Sequence, residues 1–261
     1  MKEPIIQVKN LVAAYNNQVV LDGINLDVYP GESMIILGRS GCGKSTFLRH
    51  LIGLAKPTDG NILIKNKDIT AINEDERIEI LKKVGMLFQS AALFNSMTVG
   101  DNVAFPLRAH TDLKESVIQI MTKMKLQLVG LAGTENHMPS QLSGGMKKRA
   151  GLARSIAMDP EILFCDEPSA GLDPIVAAGL DNLILKLKKA FKMTIVIVTH
   201  ELESVYIIAD RIAMMHNGKI IAVGTKEELQ NNTHPIVQQF LNRQADKEVI
   251  EREKYLSNLI N

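Results

Sequence analysis

Charge of one sign is missing from this sequence: 30 Lys and Arg stand against 29 Asp and Glu in 261 residues. So even a balance argues against a general nucleic-acid binder, which carries a clear basic excess. Long apolar runs are missing as well. The longest, at 194–198, is of strand length, far below the roughly 18–20 residues that cross a bilayer, so any membrane role is expected to be peripheral. Met1-Lys2-Glu3-Pro4 leads straight into the strand-like 5–8, without the apolar region of a signal peptide. Cysteine is scarce, with only Cys42 and Cys165. Both sit inside motifs rather than in a disulfide framework, which fits a reducing, cytosolic compartment. No internal repeat or low-complexity tract is evident. What is present is apolar residue in quantity, 46% of the chain, enough to bury the core of one large α/β domain or a domain with a subdomain.

Strand-like runs fill the first segment at 5–8, 19–21, 24–28 and 34–37, with Pro30-Gly31 turning the chain before the last. A glycine-rich loop then opens into a helix at 45–54, broken at Lys56-Pro57. A hairpin-like stretch surrounds 62–64, a charged helix spans 73–84, and a short buried strand follows at 85–88. Between about 101 and 157 the spacing turns helical, which reads as a helical insertion with helices at 113–125 and 147–158. Strand character returns at 162–165 and 194–199, separated by a helix at 175–192. Near-continuous apolar strands alternating with helices predict a mainly parallel sheet covered on both faces. The tail from Gln244 is charged and helical in pattern, with Val249, Leu256 and Ile260 roughly on one side.

The strongest chemical signal is Gly38-Arg39-Ser40-Gly41-Cys42-Gly43-Lys44-Ser45-Thr46, after a strand and before a helix. It fits the phosphate-binding loop in full. Glycines let backbone N–H groups converge on phosphate, aided by the positive end of the helix. Lys44 is expected to reach the β- and γ-phosphates and the Ser45 hydroxyl to ligate Mg²⁺. Next, the apolar strand 162–165 ends in Asp166-Glu167-Pro168. Asp166 at its tip can hold the Mg²⁺ hydration shell, and Glu167 can polarise an attacking water as general base. A third motif, Leu142-Ser143-Gly144-Gly145-Met146, precedes Lys147-Lys148-Arg149 and a helix. Alone it reads as a helix cap. With the others, Ser143 and two glycine amides at a helix N-terminus make a second anion site, placed to serve a partner's nucleotide.

In this order, together with Gln89, residues 169–173 and His200, these motifs resemble the ATP-binding cassette (ABC) family of P-loop ATPases. The resemblance covers the chain to about Arg243 as one nucleotide-binding domain. It implies an antiparallel β subdomain at the N-terminus, a helical subdomain at about 101–157, and two copies packed head to tail around two ATPs. By position, Tyr15 corresponds to the aromatic that stacks on adenine. Gln89 corresponds to the glutamine that senses Mg²⁺ and water, Asp173 to the loop linking the two sites, and His200 to the histidine at the γ-phosphate. The implied catalytic set is Glu167, His200, Gln89 and Lys44, with Ser45, Gln89 and Asp166 at the metal.

A finer resemblance lies in 86–113: Met86-Leu87-Phe88-Gln89-Ser90-Ala91-Ala92-Leu93-Phe94, then Met97-Thr98-Val99, Asp101 through Arg108, and His110-Thr111. This block, with Met146 and the stretch 235–241, is similar to ATPases of maintenance-of-lipid-asymmetry systems. That implies a separate permease, an MCE-domain lipid-binding protein, a small STAS-type regulatory subunit and a phospholipid cargo, at the cytoplasmic face of the inner membrane and without nucleic acid. A polar-solute importer is the first alternative, although its cassettes usually carry glutamine where Met146 stands. A soluble non-transport ABC ATPase is the second, although such proteins commonly carry two cassettes or a long coiled-coil insertion. Ala91, Ala92, Leu93 and Phe94 are expected to offer an apolar surface to a permease helix. The tail 244–261 reads either as an inter-subunit clasp or as a solvated terminal helix.

Overall fold

Apolar residues in adjacent positions of a strand point to opposite sides of a sheet, and three runs of this chain are apolar on both. The computed structural model, which describes residues 3–16 and 18–245, buries all three along their length: β3 (Ser33–Gly38), β7 (Ile162–Asp166, whose last residue is half-buried) and β8 (Thr194–Thr199). Odd positions of β3, Ile35 and Leu37, enter one core; even positions, Met34 and Ile36, enter a second on the other face. These strands form the centre of a six-stranded sheet ordered β10-β9-β3-β8-β7-β6, completed by β6 (Val84–Leu87), β9 (Arg211–His216) and β10 (Lys219–Gly224). All neighbouring pairs are parallel except β9 with β10.

A four-stranded antiparallel sheet, β2-β1-β4-β5, is built from β1 (Ile6–Tyr15), β2 (Gln18–Val28), β4 (Asp59–Ile64) and β5 (Lys67–Asp68). Its inner side chains, among them Ile6, Leu11, Ile24 and Ile62, share a core with Phe47 and Leu48 of α1 (Lys44–Leu51) and with the even face of β3. The sequence reading split β2 into 19–21 and 24–28. The structure makes one bulged strand, with Gly23 at φ +66° taking up the irregularity.

The opposite core is roofed by helices: α3 (Val99–His110), α4 (Glu115–Leu128), α5 (Gly144–Ser155) and α6 (Pro174–Phe191). The charged helix α2 (Glu74–Leu81) has no fully buried residue, packs Ile80 against the second core and is capped by the Asn73 side chain. Short helices α7 (Leu202–Ile208), α8 (Lys226–Gln230) and α9 (Pro235–Leu241) follow β8 and β10. The helical insertion begins a turn earlier than its spacing suggested, at Thr98, which caps α3. Its second helix starts at Glu115 rather than 113. Leu113, just before α4, and Val117, Ile120, Met124 and Leu128 on it, spaced by three or four residues, are exposed. The reading of a terminal helix from Gln244 lies outside the described residues from 246 onward.

Candidate nucleotide site

Register brings the motifs to one edge. Leu37 pairs with Thr199, Asp166 with Val198, and Leu87 with Cys165. Gly38, Asp166, Glu167, His200 and Gln89 therefore all emerge at the carboxyl ends of neighbouring parallel strands, where open α/β sheets bind ligands.

The glycine-rich loop is shaped by close approach. A Cβ on Gly38 would lie 2.4 Å from the Met215 carbonyl oxygen and 2.8 Å from Cys42 Sγ, so no larger residue fits. Gly43, at φ +107°, stands at the N-terminus of α1. The loop is braced from outside: the Gly218 amide donates to the Cys42 carbonyl at 3.0 Å, and a Cβ on Gly43 would meet Val20 and Leu21 of β2. Lys44 is buried, and its ammonium donates to the carbonyls of Gly38 (2.8 Å) and Arg39 (3.1 Å). Arg39, Ser40, Gly41 and Ser45 are exposed at the rim and Thr46 half-buried. Burial pushes the Cys42 thiol pKa up. A tight backbone curve, a helix N-terminus and one buried cation are the chemistry that suits a polyphosphate.

Ser45 Oγ donates to Asp166 Oδ1 at 3.3 Å, joining two motifs 121 residues apart. Burial raises the Asp166 carboxyl pKa, against the lowering effect of Ser45. A hydroxyl and a carboxylate at one point are a hard oxygen set of the kind Mg²⁺ uses when phosphate and water complete its shell. Among the described residues no group of three or more His, Cys, Asp and Glu could hold a metal by itself.

Glu167 is the most constrained residue of the edge. It is buried with φ +44°, in the left-handed region that costs a non-glycine residue on the order of 1 kcal/mol or more. Its amide donates to the Val198 carbonyl (2.9 Å), and the Lys148 ammonium donates to its own carbonyl (3.2 Å). Its carboxylate lies 2.9 Å from His200 Nδ1, accepts from Thr199 Oγ1 at 3.1 Å, and stands 3.7 Å from Lys44 Nζ. A carboxylate held this firmly beside a phosphate cradle can orient a water and accept its proton.

Gln89 is exposed beyond β6, one strand over from Glu167; among the described residues no hydrogen bond ties it to Ser45 or Asp166. Tyr15 is exposed at the tip of the β1–β2 hairpin. Asp173 caps α6, accepting from the Ile175 and Val176 amides. Ser143 caps α5, accepting from the Met146 amide. A Cβ on Gly145 would lie 2.7 Å from Val176, which seats the 143–145 turn against the first turn of α6. Among the described residues no hydrogen bond or ion pair joins Ser143, Gly144 or Gly145 to the phosphate loop.

Sequence reasoning missed the roles of Lys148 and Thr199. Lys148 was visible only as one cation of a run, and nothing in its spacing marks it as buried. Thr199 was read as the last residue of a strand. One expectation is corrected: Ala91 is not part of an exposed apolar surface. It turns inward against Gly151 and Leu87, and Leu93 packs on the helical core, leaving Ala92 and Phe94 outside.

A phosphate cradle, a hydroxyl–carboxylate pair and a buried acid on one parallel-sheet edge define a P-loop nucleotide-hydrolysing protein. Residues 21–170 match the family model described as ABC transporter. The chain belongs to that family: it is the ATPase subunit of an ABC transporter, binding ATP and hydrolysing it to ADP and phosphate. It is 43% identical over 255 residues to MlaF of Haemophilus influenzae, an intermembrane phospholipid transport ATP-binding protein, covering 98% of this chain and 96% of that one. It is 45% identical over 237 residues to the mkl protein of Mycobacterium leprae, described as a probable ribonucleotide transport ATP-binding protein, covering 91% of this chain and 68% of that one. Among solved structures, cbiO1 from Clostridium perfringens, part of the cbiONQ transporter complex, matches with a TM-score of 0.81 at 30% identity, over 92% of this chain and 96% of that one. The dimeric cassette MJ0796 bound to ADP and phosphate matches with a TM-score of 0.78 at 30% identity, over 84% and 98%.

Proposed function

We propose that this subunit powers phospholipid transport between inner and outer membranes through a separate permease. The observation that carries this reading is the end-to-end match to an intermembrane phospholipid transport ATPase, which leaves almost no part of either chain unaccounted for. The mkl protein is as similar in sequence but extends well beyond the matched region. That match favours a second reading, import or export of a polar solute such as a ribonucleotide.

In the proposed mechanism residues 38–46 cradle the phosphates, and Lys44 neutralises the β- and γ-phosphoryl groups. Tyr15 stacks on adenine. Ser45, Asp166 and Gln89 would hold Mg²⁺, which supplies charge neutralisation at the phosphates. Glu167 takes the proton from the attacking water, with His200 beside it at the γ-phosphate. Ser143, Gly144 and Gly145 complete the ATP site of a second copy, and Asp173 lies where the copies meet, so the working unit is a homodimer. Residues 1–243 act as the nucleotide-binding domain. The groove of about 610 Å³ bordered by Phe88, Ala92, Phe94, Phe105 and Met158 suits an apolar permease helix. The exposed α4 stripe suits a further subunit, such as the small STAS-type regulator. No helix among the described residues is long and apolar enough to cross a membrane.

The decisive experiment isolates the tagged chain in gentle detergent from its native membrane and identifies co-purifying proteins and lipids by mass spectrometry. A multi-helix permease with an MCE-domain protein and phospholipid is the expected result. A solute permease without lipid-binding protein would overturn the lipid reading and leave the ATPase standing.

A further inference from the structure

Behind the catalytic edge lies a second polar cluster that the chemistry above does not use. Asp181 on α6, Ser169 and Ser204 are 1%, 3% and 5% exposed. Ser169 Oγ donates to Asp181 Oδ1 at 2.5 Å, and the buried Ser204 side chain stands near enough to the same carboxyl to act against the burial-driven rise of its pKa. Each serine belongs to a segment that leaves the site: Ser169 lies two residues after Glu167, and Ser204 four after His200, in the first turns of α7. Leu180, Ile184 and Leu187 fill the rest of this face of α6, so packing alone calls for an apolar residue at 181. Burial pushes the carboxyl pKa up, so an acid is held here at an energetic cost that the Ser169 bond and the nearby Ser204 only partly offset.

We propose that Asp181 is a positioning residue: its carboxyl ties the segment after Glu167 to the helix after His200 and so sets the geometry of the Glu167–His200 pair. This rests on the reading of Glu167 as general base with His200 as its partner. The two segments are then pinned at the front by the 2.9 Å contact between His200 and Glu167 and behind by Asp181. None of the cluster's bonds goes to the phosphate loop. Loosening it therefore alters turnover and spares nucleotide binding.

The test is a double-mutant cycle of Ser169→Ala and Ser204→Ala, made in the wild-type chain and in Asp181→Leu, reading kcat, KM for ATP and thermal midpoint. Each serine change is expected to lower kcat about three- to tenfold with KM within about twofold. The two effects should be coupled in the wild-type chain and vanish once Asp181 is leucine. Asp181→Asn, which keeps an acceptor, should recover most of the rate. Unchanged kcat in a folded Asp181→Leu chain would overturn the proposal. So would additive serine effects that persist without Asp181, or losses of rate that follow the thermal midpoint alone. Should Asp181→Leu fail to fold, the wild-type cycle and Asp181→Asn decide. Glu167→Gln and His200→Ala run alongside. If they turn over normally, the base assignment itself fails; if they are dead while the Asp181 variants are normal, only the positioning role fails.

Discussion

Glu167 shows how much of this site is set by single residues. Its left-handed backbone needs an amide bond from below, a lysine on its carbonyl and three groups near its carboxylate. Such strain persists only where surroundings over-determine it. The sequence marks the acid itself, because it ends an apolar strand beside another acid. It does not mark Lys148 or Asp181, because a charged residue on a helix is ordinarily solvent-facing, and only tertiary packing turns these two inward. Cys42 illustrates the opposite case, a residue conspicuous in sequence and quiet in structure. Burial raises its thiol pKa, and Cys165 is raised further by complete burial. Both stay protonated at neutral pH, and reactivity requires the thiolate. Alkylation of the native chain at pH 7.5 should therefore run about tenfold or more below that of free cysteine and climb as pH rises past 9. Two thiols should react promptly after unfolding. Fast labelling of Cys42 at pH 7.5, followed by peptide mass spectrometry, would contradict this.

At the scale of elements, α5 joins three places. Its N-terminus carries the Ser143 cap, its middle sends Lys148 to Glu167, and its C-terminus sends Arg154 to the carbonyls of Ala92 and Ala91, both at 2.8 Å. Ala91 and Ala92 are themselves left-handed, at φ +61° and +47°, so the loop bordering the apolar groove is strained and depends on this clamp. Asn102 of α3 holds the loop's far side through the amide and carbonyl of Phe94. Arg154→Met should destabilise the fold by about 1–3 kcal/mol in urea titration and raise amide exchange around residues 88–98 while leaving ATP affinity near wild type. Unaltered exchange there would show that the clamp is not needed. Most elements were legible from periodicity: the core strands, α6 and the helical insertion fall within a few residues of their expected places. The β9–β10 hairpin was passed over, although Asn217-Gly218, both at positive φ, is the turn pair that such hairpins favour. Three half-buried positions in succession in β10, between exposed ones, blur the alternation that would have announced it.

At the scale of the whole molecule, the motifs do not all meet. The phosphate loop, Asp166, Glu167 and His200 share one edge, whereas residues 143–145 sit against the start of α6 and, among the described residues, no hydrogen bond or ion pair joins them to that edge. In the proposed dimer a second copy supplies what is missing. Glu167→Gln, which keeps the shape of the base and removes its proton affinity, should accumulate as an ATP-bound dimer in size-exclusion chromatography, with kcat down by about a hundredfold or more. Normal turnover in that variant would remove Glu167 from its assigned role. The separation of the two half-sites also has a genetic side. A chain with a damaged phosphate loop still offers a sound 143–145 turn, and the reverse holds for a chain damaged there. Mixed at random with an equal supply of normal subunits, a single defective allele puts about half of the pairs in a mixed state that keeps one whole site. A pair of chains damaged in different halves also keeps one whole site, so two such alleles should complement to the same degree that the mixed pair works, and where they complement each should be recessive to the normal allele.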